Sequence, residues 1–78
     1  MSNLDIYINA FVESFEIQPE ITSGLKYQDI PAWDSVGHMT LVAALEEVFD
    51  IMMETDDIID LSSFEKGQEI LQKYDVQF

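Results

Sequence analysis

Apolar residues recur at helical spacing in separate stretches of the chain, divided by segments in which no period holds. Near the N-terminus, Leu4, Ile8, Phe11, Val12 and Phe15 fall three and four residues apart, as on one face of an amphipathic helix. Ser2 or Asn3 caps its first turn, and the helix ends near Glu16, before Pro19 opposes continuation. A second stripe follows Trp33. Asp34 or Ser35 is its N-cap, and Val36, Met39, Val42, Leu45, Val48 and Phe49 form its apolar face. The interior run Ala43-Ala44-Leu45-Glu46-Glu47 consists of good helix formers, so this is the longest predicted helix, ending at Phe49 or Asp50. Ile51-Met52-Met53 then leads to an N-cap signal at Thr55-Asp56-Asp57 and a one- or two-turn helix carrying Ile58, Ile59 and Leu61. Ser62 or Ser63 caps a last helix with Phe64, Ile70, Leu71 and Tyr74 inward and Gly67 as a mild defect.

Residues 17–34 fit neither a helical nor a strand period. Pro19, Gly24 and Pro31 punctuate a segment whose apolar residues Ile17, Ile21, Leu25, Tyr27 and Ile30 are scattered. The pattern predicts a long ordered loop with its apolar side chains on the core and a short helical turn near Glu20–Gly24. So long a loop in so small a chain is more often functional than idle. The chain has no internal repeat or low-complexity linker, so residues 1–78 read as a single domain. The expected fold is all-α: a small four-helix bundle of three longer helices and one short one, with the long loop between the first two.

Composition narrows the function. The 78 residues include 16 acidic and 3 basic side chains, for a formal net charge of −13. Only Lys26, Lys66 and Lys73 could meet a phosphate backbone, which excludes sequence-tolerant nucleic-acid binding, and anionic membranes would repel the chain. Basic protein surfaces are the expected partners. No stretch approaches the ~18 apolar residues of a membrane span, and Asp5 interrupts any early signal-peptide pattern. Without cysteine there is no disulfide framework and no thiolate chemistry. A reducing, cytoplasmic setting and a monomer are the expectation.

Catalytic constellations are scarce. His38 is the one histidine, three residues after Ser35 on the same helix, with no third group evident to orient it; it reads as a partly exposed helix residue. Asp56, Asp57 and Asp60 lack the alternating ligands and central glycine of an EF-hand loop and read as a solvated face; no metal site is expected. Gly24, Gly37 and Gly67 stand apart, so there is no glycine-rich phosphate loop. The chain is not expected to be an enzyme. Ser35 is the exception among these groups. It opens the longest helix, where unpaired N–H groups and the helix dipole favour a phosphate, and Trp33 and Val36 would give it an apolar rim.

The run Trp33-Asp34-Ser35-Val36-Gly37-His38-Met39, continued by Leu41-Val42-Ala43-Ala44-Leu45-Glu46-Glu47-Val48-Phe49, closely resembles the acyl carrier protein family. That family has an Asp-Ser-Leu-type motif followed by a helix ending in a Leu-Glu-Glu-x-Phe-like run. The order of elements is similar along essentially the whole chain. The resemblance implies a non-catalytic carrier. Ser35 would receive a 4′-phosphopantetheine arm, donated by coenzyme A through a separate Mg²⁺-dependent phosphopantetheinyl transferase, and the arm's thiol would hold acyl groups as thioesters. It further implies that Asp34 aids recognition by the transferase, that Val36 and Met39 meet partner enzymes, and that Glu46 and Glu47 face basic docking surfaces. Those partners would be acyl-transferring, synthase or ligase enzymes of a fatty-acid, polyketide or related lipid- or polysaccharide-modifying pathway.

Two departures point to a specialised, free-standing member. Gly37, His38 and Thr40 stand where fatty-acid-synthesis carriers commonly have acidic residues, and Asp50-Ile51-Met52-Met53-Glu54 lacks the usual Ile-Pro. Two alternatives accompany this reading: an aminoacyl (D-alanyl or peptidyl) carrier, and a carrier-like acidic interaction module that bears no arm.

One expectation follows from charge alone. Going from about 0.01 M to about 0.15 M monovalent salt shortens the screening length from about 30 Å to about 8 Å. Carboxylate self-repulsion should weaken and the thermal midpoint should rise; a midpoint that stays level or falls contradicts self-repulsion as a major destabilising force.

Overall fold

The computed structural model describes residues 2–78. They form a small helical bundle: α1 (Asn3–Phe15), a 3₁₀ turn (Pro19–Ile21), α2 (Ser35–Phe49), α3 (Thr55–Asp60) and α4 (Phe64–Gln72). The expected architecture of three longer helices, one short helix and a long first loop is the one observed.

In α1, Ser2 is the N-cap, its hydroxyl accepting from the Asp5 N–H at 3.1 Å, and Glu16 closes the helix in the left-handed region at φ 54°. The inward face is rotated from the one predicted. Tyr7, Ala10, Phe11 and Phe15 are buried, Ile8 and Val12 are half-buried, and Leu4 is exposed. Tyrosine can take the central position because its hydroxyl donates to the Phe64 carbonyl at 2.6 Å. Burial, with the nearby Glu65 charge, pushes the ionisation of that phenol well above its ordinary value. Phe11 is the aromatic hub, with edge contacts to Tyr7 at 5.0 Å, Phe64 at 5.2 Å and Trp33 at 5.5 Å between ring centres. Through these rings α1 meets α4 and the loop, and it also packs along α2.

The long loop is ordered by backbone pairing with the segment ahead of α4. The Phe64 N–H donates to the Leu25 carbonyl at 2.8 Å and the Tyr27 N–H to the Ser62 carbonyl at 2.9 Å. Leu25 is buried and Ile17, Tyr27 and Ile30 are half-buried as expected, whereas Ile21 is exposed. The helical turn lies at Pro19–Ile21, slightly ahead of the predicted place, because proline suits the first helical position.

Three further expectations are corrected. Glu54, rather than Thr55, is the N-cap residue of α3 and makes no side-chain cap. Gly67 is required rather than merely tolerated: a Cβ there would lie 2.1 Å from the Tyr7 hydroxyl and 2.8 Å from Leu61 Cδ1. Asp57 is buried rather than solvated, accepting from Lys73 Nζ and from the Tyr74 hydroxyl at 2.5 Å, while the Glu54 N–H donates to that hydroxyl at 2.9 Å. The sequence pattern could not show this, since the partners lie 16 and 17 residues away.

This network has a pH signature. Hydrogen bonds from Lys73 first and Tyr74 second hold the Asp57 carboxyl below its usual value of 3.8. A group with a lower pKa when folded binds fewer protons in the native state. Its stabilisation is therefore present above 3.8 and fades as pH falls through the lower native value. Asp57→Asn should have a lower thermal midpoint than wild type near neutrality, and the gap should close as pH drops below that value. A pH-independent gap in paired melting curves contradicts this account.

Candidate functional site

Where α1 ends and the loop returns, Trp33 inserts its ring completely into the core and fixes the chain two residues ahead of Ser35. Its indole N–H donates to His38 Nδ1 at 3.0 Å. Because an indole N–H can only donate, Nδ1 must be unprotonated, and the ring is the neutral tautomer with its proton on Nε2. That Nε2–H donates to the Ile58 carbonyl at 2.7 Å. The expectation of a histidine with nothing to orient it is thereby corrected. His38 is half-buried, lies nearly parallel to Trp33 (interplanar angle 13°) and ties the loop, α2 and α3 together. With both nitrogens engaged, His38 is a fastening rather than a free base.

The first turn of α2 separates the duties that the sequence left shared between Asp34 and Ser35. Asp34 is the N-cap, its Oδ1 accepting from the Gly37 N–H at 2.8 Å. Ser35 is the first helical residue and is exposed. Its Oγ lies 3.3 Å from the Tyr27 hydroxyl and pairs with that group rather than with His38. The backbone N–H groups of Ser35 and Val36 occupy positions that have no intrahelical acceptor. Gly37 is forced by the approach of the loop: a Cβ there would lie 1.8 Å from the Ala32 carbonyl oxygen.

Ser35 stands at the edge of a cleft of about 440 Å³ between α2 and the segment from α3 to α4. Met39 comes from α2, Ile58 and Ile59 from α3, and Leu61 and Ser62 from the link beyond; Tyr27 and His38 complete the lining. No carboxylate or lysine lines this cleft, in a chain of net charge −13. Three apolar side chains in it or next to Ser35 are exposed: Val36 at 76%, Ile59 at 72% and Met39 at 51%. The apolar rim predicted from Trp33 and Val36 is therefore supplied by Val36, Met39 and Ile59 instead, since Trp33 is buried.

The other residues singled out in the sequence lie apart from this cleft. Glu46 and Glu47 lie 11 and 12 positions beyond Ser35, about 16–18 Å along the helix axis at 1.5 Å per residue. Glu47 is exposed, whereas Glu46 is half-buried and accepts from the Met53 N–H at 2.9 Å, fastening the link after α2. Tyr27, Ile59 and Ser62 were not marked as site residues in the sequence. The adjacent Ile58 and Ile59 carried no decisive signal, since neighbouring apolar helix residues can both be buried, as Leu41 and Val42 are. Tyr27 carried none, since its approach to Ser35 depends on loop geometry. Among the described residues no cluster of His, Asp and Glu could hold a metal ion, and no helix is long and apolar enough to cross a membrane.

Removing the His38 ring would leave the Trp33 N–H without its acceptor, in a residue with no exposed surface. His38→Ala should cost about 1–3 kcal/mol, read as a lower midpoint in denaturant with an unchanged slope. A loss below about 0.5 kcal/mol, the usual size of surface substitutions, contradicts the fastening role. No protein-family model, curated protein or solved structure matches the chain.

Proposed function

We propose that this chain is an acyl carrier protein in which Ser35 accepts a 4′-phosphopantetheine arm. One observation carries the reading: an exposed serine hydroxyl, relieved of capping by Asp34, stands at the first position of a 15-residue helix beside an uncharged, apolar-walled cleft. The unpaired N–H groups of the first turn suit a phosphodiester at Ser35. The cleft suits an apolar chain with a polar head, and the exposed Val36 and Met39 suit a partner's apolar contact. The wider sequence resemblance described above supports the same conclusion.

Attachment forms one bond and breaks one. Ser35 Oγ attacks the phosphorus next to the pantetheine moiety of coenzyme A, and the P–O bond to 3′,5′-ADP breaks with its electron pair leaving on the ADP. The serine proton passes to a base of the phosphopantetheinyl transferase. When bound, the arm supplies a thiol on which acyl groups travel as thioesters. In this reading the chain itself presents an oriented hydroxyl, a docking surface with Asp34, Val36 and Met39 at its centre and Glu46 and Glu47 further along, and shelter for cargo. It acts as a monomer in a reducing, cytoplasmic setting. Its partners are the transferase and acyl-transferring, synthase or ligase enzymes with basic surfaces.

The test is intact-mass spectrometry after incubation with coenzyme A, Mg²⁺ and a broad-specificity transferase. Wild type should gain one arm. Ser35→Ala should gain none while keeping its stability within about 0.5 kcal/mol, since Ser35 is exposed and is not the cap. No gain by folded wild type, alongside a control carrier that is modified, overturns the proposal in favour of an interaction module without the arm.

A further inference from the structure

Tyr27 reaches Ser35 from eight residues away, and its placement is over-determined. Its N–H is bonded to the Ser62 carbonyl at 2.9 Å. Its ring stands edge-on to Trp33 (89°, centres 6.2 Å apart) and to His38 (79°, 5.6 Å). Those two rings are bonded to each other, and His38 is bonded to α3. The phenol oxygen is thus carried by a rigid aromatic group to 3.3 Å from Ser35 Oγ. Ser35, by contrast, is exposed, and Asp34 holds the capping role that a serine hydroxyl would otherwise take. Without Tyr27 its side chain would have three staggered rotamers open to it.

We propose that Tyr27 is a positioning residue for arm attachment: its hydroxyl holds the Ser35 side chain in one rotamer at the edge of the cleft, so that the transferase meets an oriented nucleophile. This rests on the carrier reading above. Tyr27 exchanges no proton in the step. The bond made at Ser35 Oγ, the bond broken to 3′,5′-ADP and the proton accepted by the transferase are those already given. A neutral hydrogen bond of this kind, together with the choice of one rotamer among three, corresponds to an effect of about two- to tenfold on the transfer step.

The test compares wild type with Tyr27→Phe, which keeps the ring against Trp33 and His38 and removes only the hydroxyl. The Ser35 χ1 populations are read from three-bond couplings in the unmodified proteins, and transfer kinetics from intact mass. The expected result is one dominant Ser35 rotamer in wild type and averaging in Tyr27→Phe. The kcat of arm transfer should fall about two- to tenfold while the KM for the chain is unchanged, a split that a general loss of structure would not give. Equal rotamer populations in the two proteins, or equal kcat, overturns the positioning role. Should folded wild type accept no arm, the carrier reading fails and the attachment role fails with it. The couplings then decide separately whether Tyr27 orders Ser35 at all. An arm that loads equally well on both proteins overturns Tyr27's role and leaves the carrier reading standing.

Discussion

The hydrogen bond from the Trp33 indole to His38 is the constraint on which the Ser35 end of the molecule depends. Trp33 is among the largest side chains in a thin core and is wholly buried, so its N–H must find an acceptor inside the protein. His38 provides one from α2 and passes the constraint on to α3 through the Ile58 carbonyl. The indole also meets α1, stacking on Phe15 with ring centres 5.4 Å apart and edge-on to Phe11 at 5.5 Å. One residue thus sets the loop, α1, α2 and α3 against each other. Ser35 follows Trp33 by two positions, and its location in space is inherited from that ring.

What the aromatic group fixes, the first turn of α2 makes available. Had Ser35 been the N-cap, its hydroxyl would be turned back to a backbone N–H and withdrawn from solvent chemistry. Asp34 takes that duty through the Gly37 N–H, and Gly37, lacking a Cβ, lets the Ala32 carbonyl come close enough for the loop to enter the helix at this angle. Capping and exposure are thereby assigned to adjacent residues. Local chemistry alone could not have decided between Asp34 and Ser35, because each is a strong N-cap former.

The helices, their order and the long loop were legible in the sequence because periodicity and caps are local signals. Ser2, Ser63 and the Asp34–Ser35 pair all mark true helix starts. The α2 stripe was legible as apolar but not as inward. Of its predicted members Val42 and Leu45 are buried, while Val36, Met39 and Val48 are exposed. An apolar side chain does not announce whether it fills a core or offers a surface. The place of Ser35 at the start of α2 was legible from the cap signal. Tyr27, the bonding of His38 and the burial of Asp57 were not, since each is decided by a partner brought near by tertiary folding.

The two sides of the cleft are held by different forces. α2 is anchored by apolar burial at Leu41, Val42 and Leu45. Within α3 the only buried residue is Asp57, a carboxylate, and Ile58 is half-buried. With six residues, α3 is also too short to be stable by its own propensity. Its position therefore depends on polar ties: Asp57 to Lys73 and Tyr74 on one side, and the Ile58 carbonyl to His38 on the other. Lys73 supplies one of only three cations in the chain, and its largely exposed side chain leaves that ion pair open to solvent screening. Directional bonds hold a helix in place only while their geometry lasts, whereas apolar burial yields gradually with displacement. The α3 side, which contributes Ile58 and Ile59 to the cleft, thus rests on the Asp57 carboxylate and on His38, whereas the side that presents Ser35 is held in addition by the buried Trp33 and the apolar face of α2.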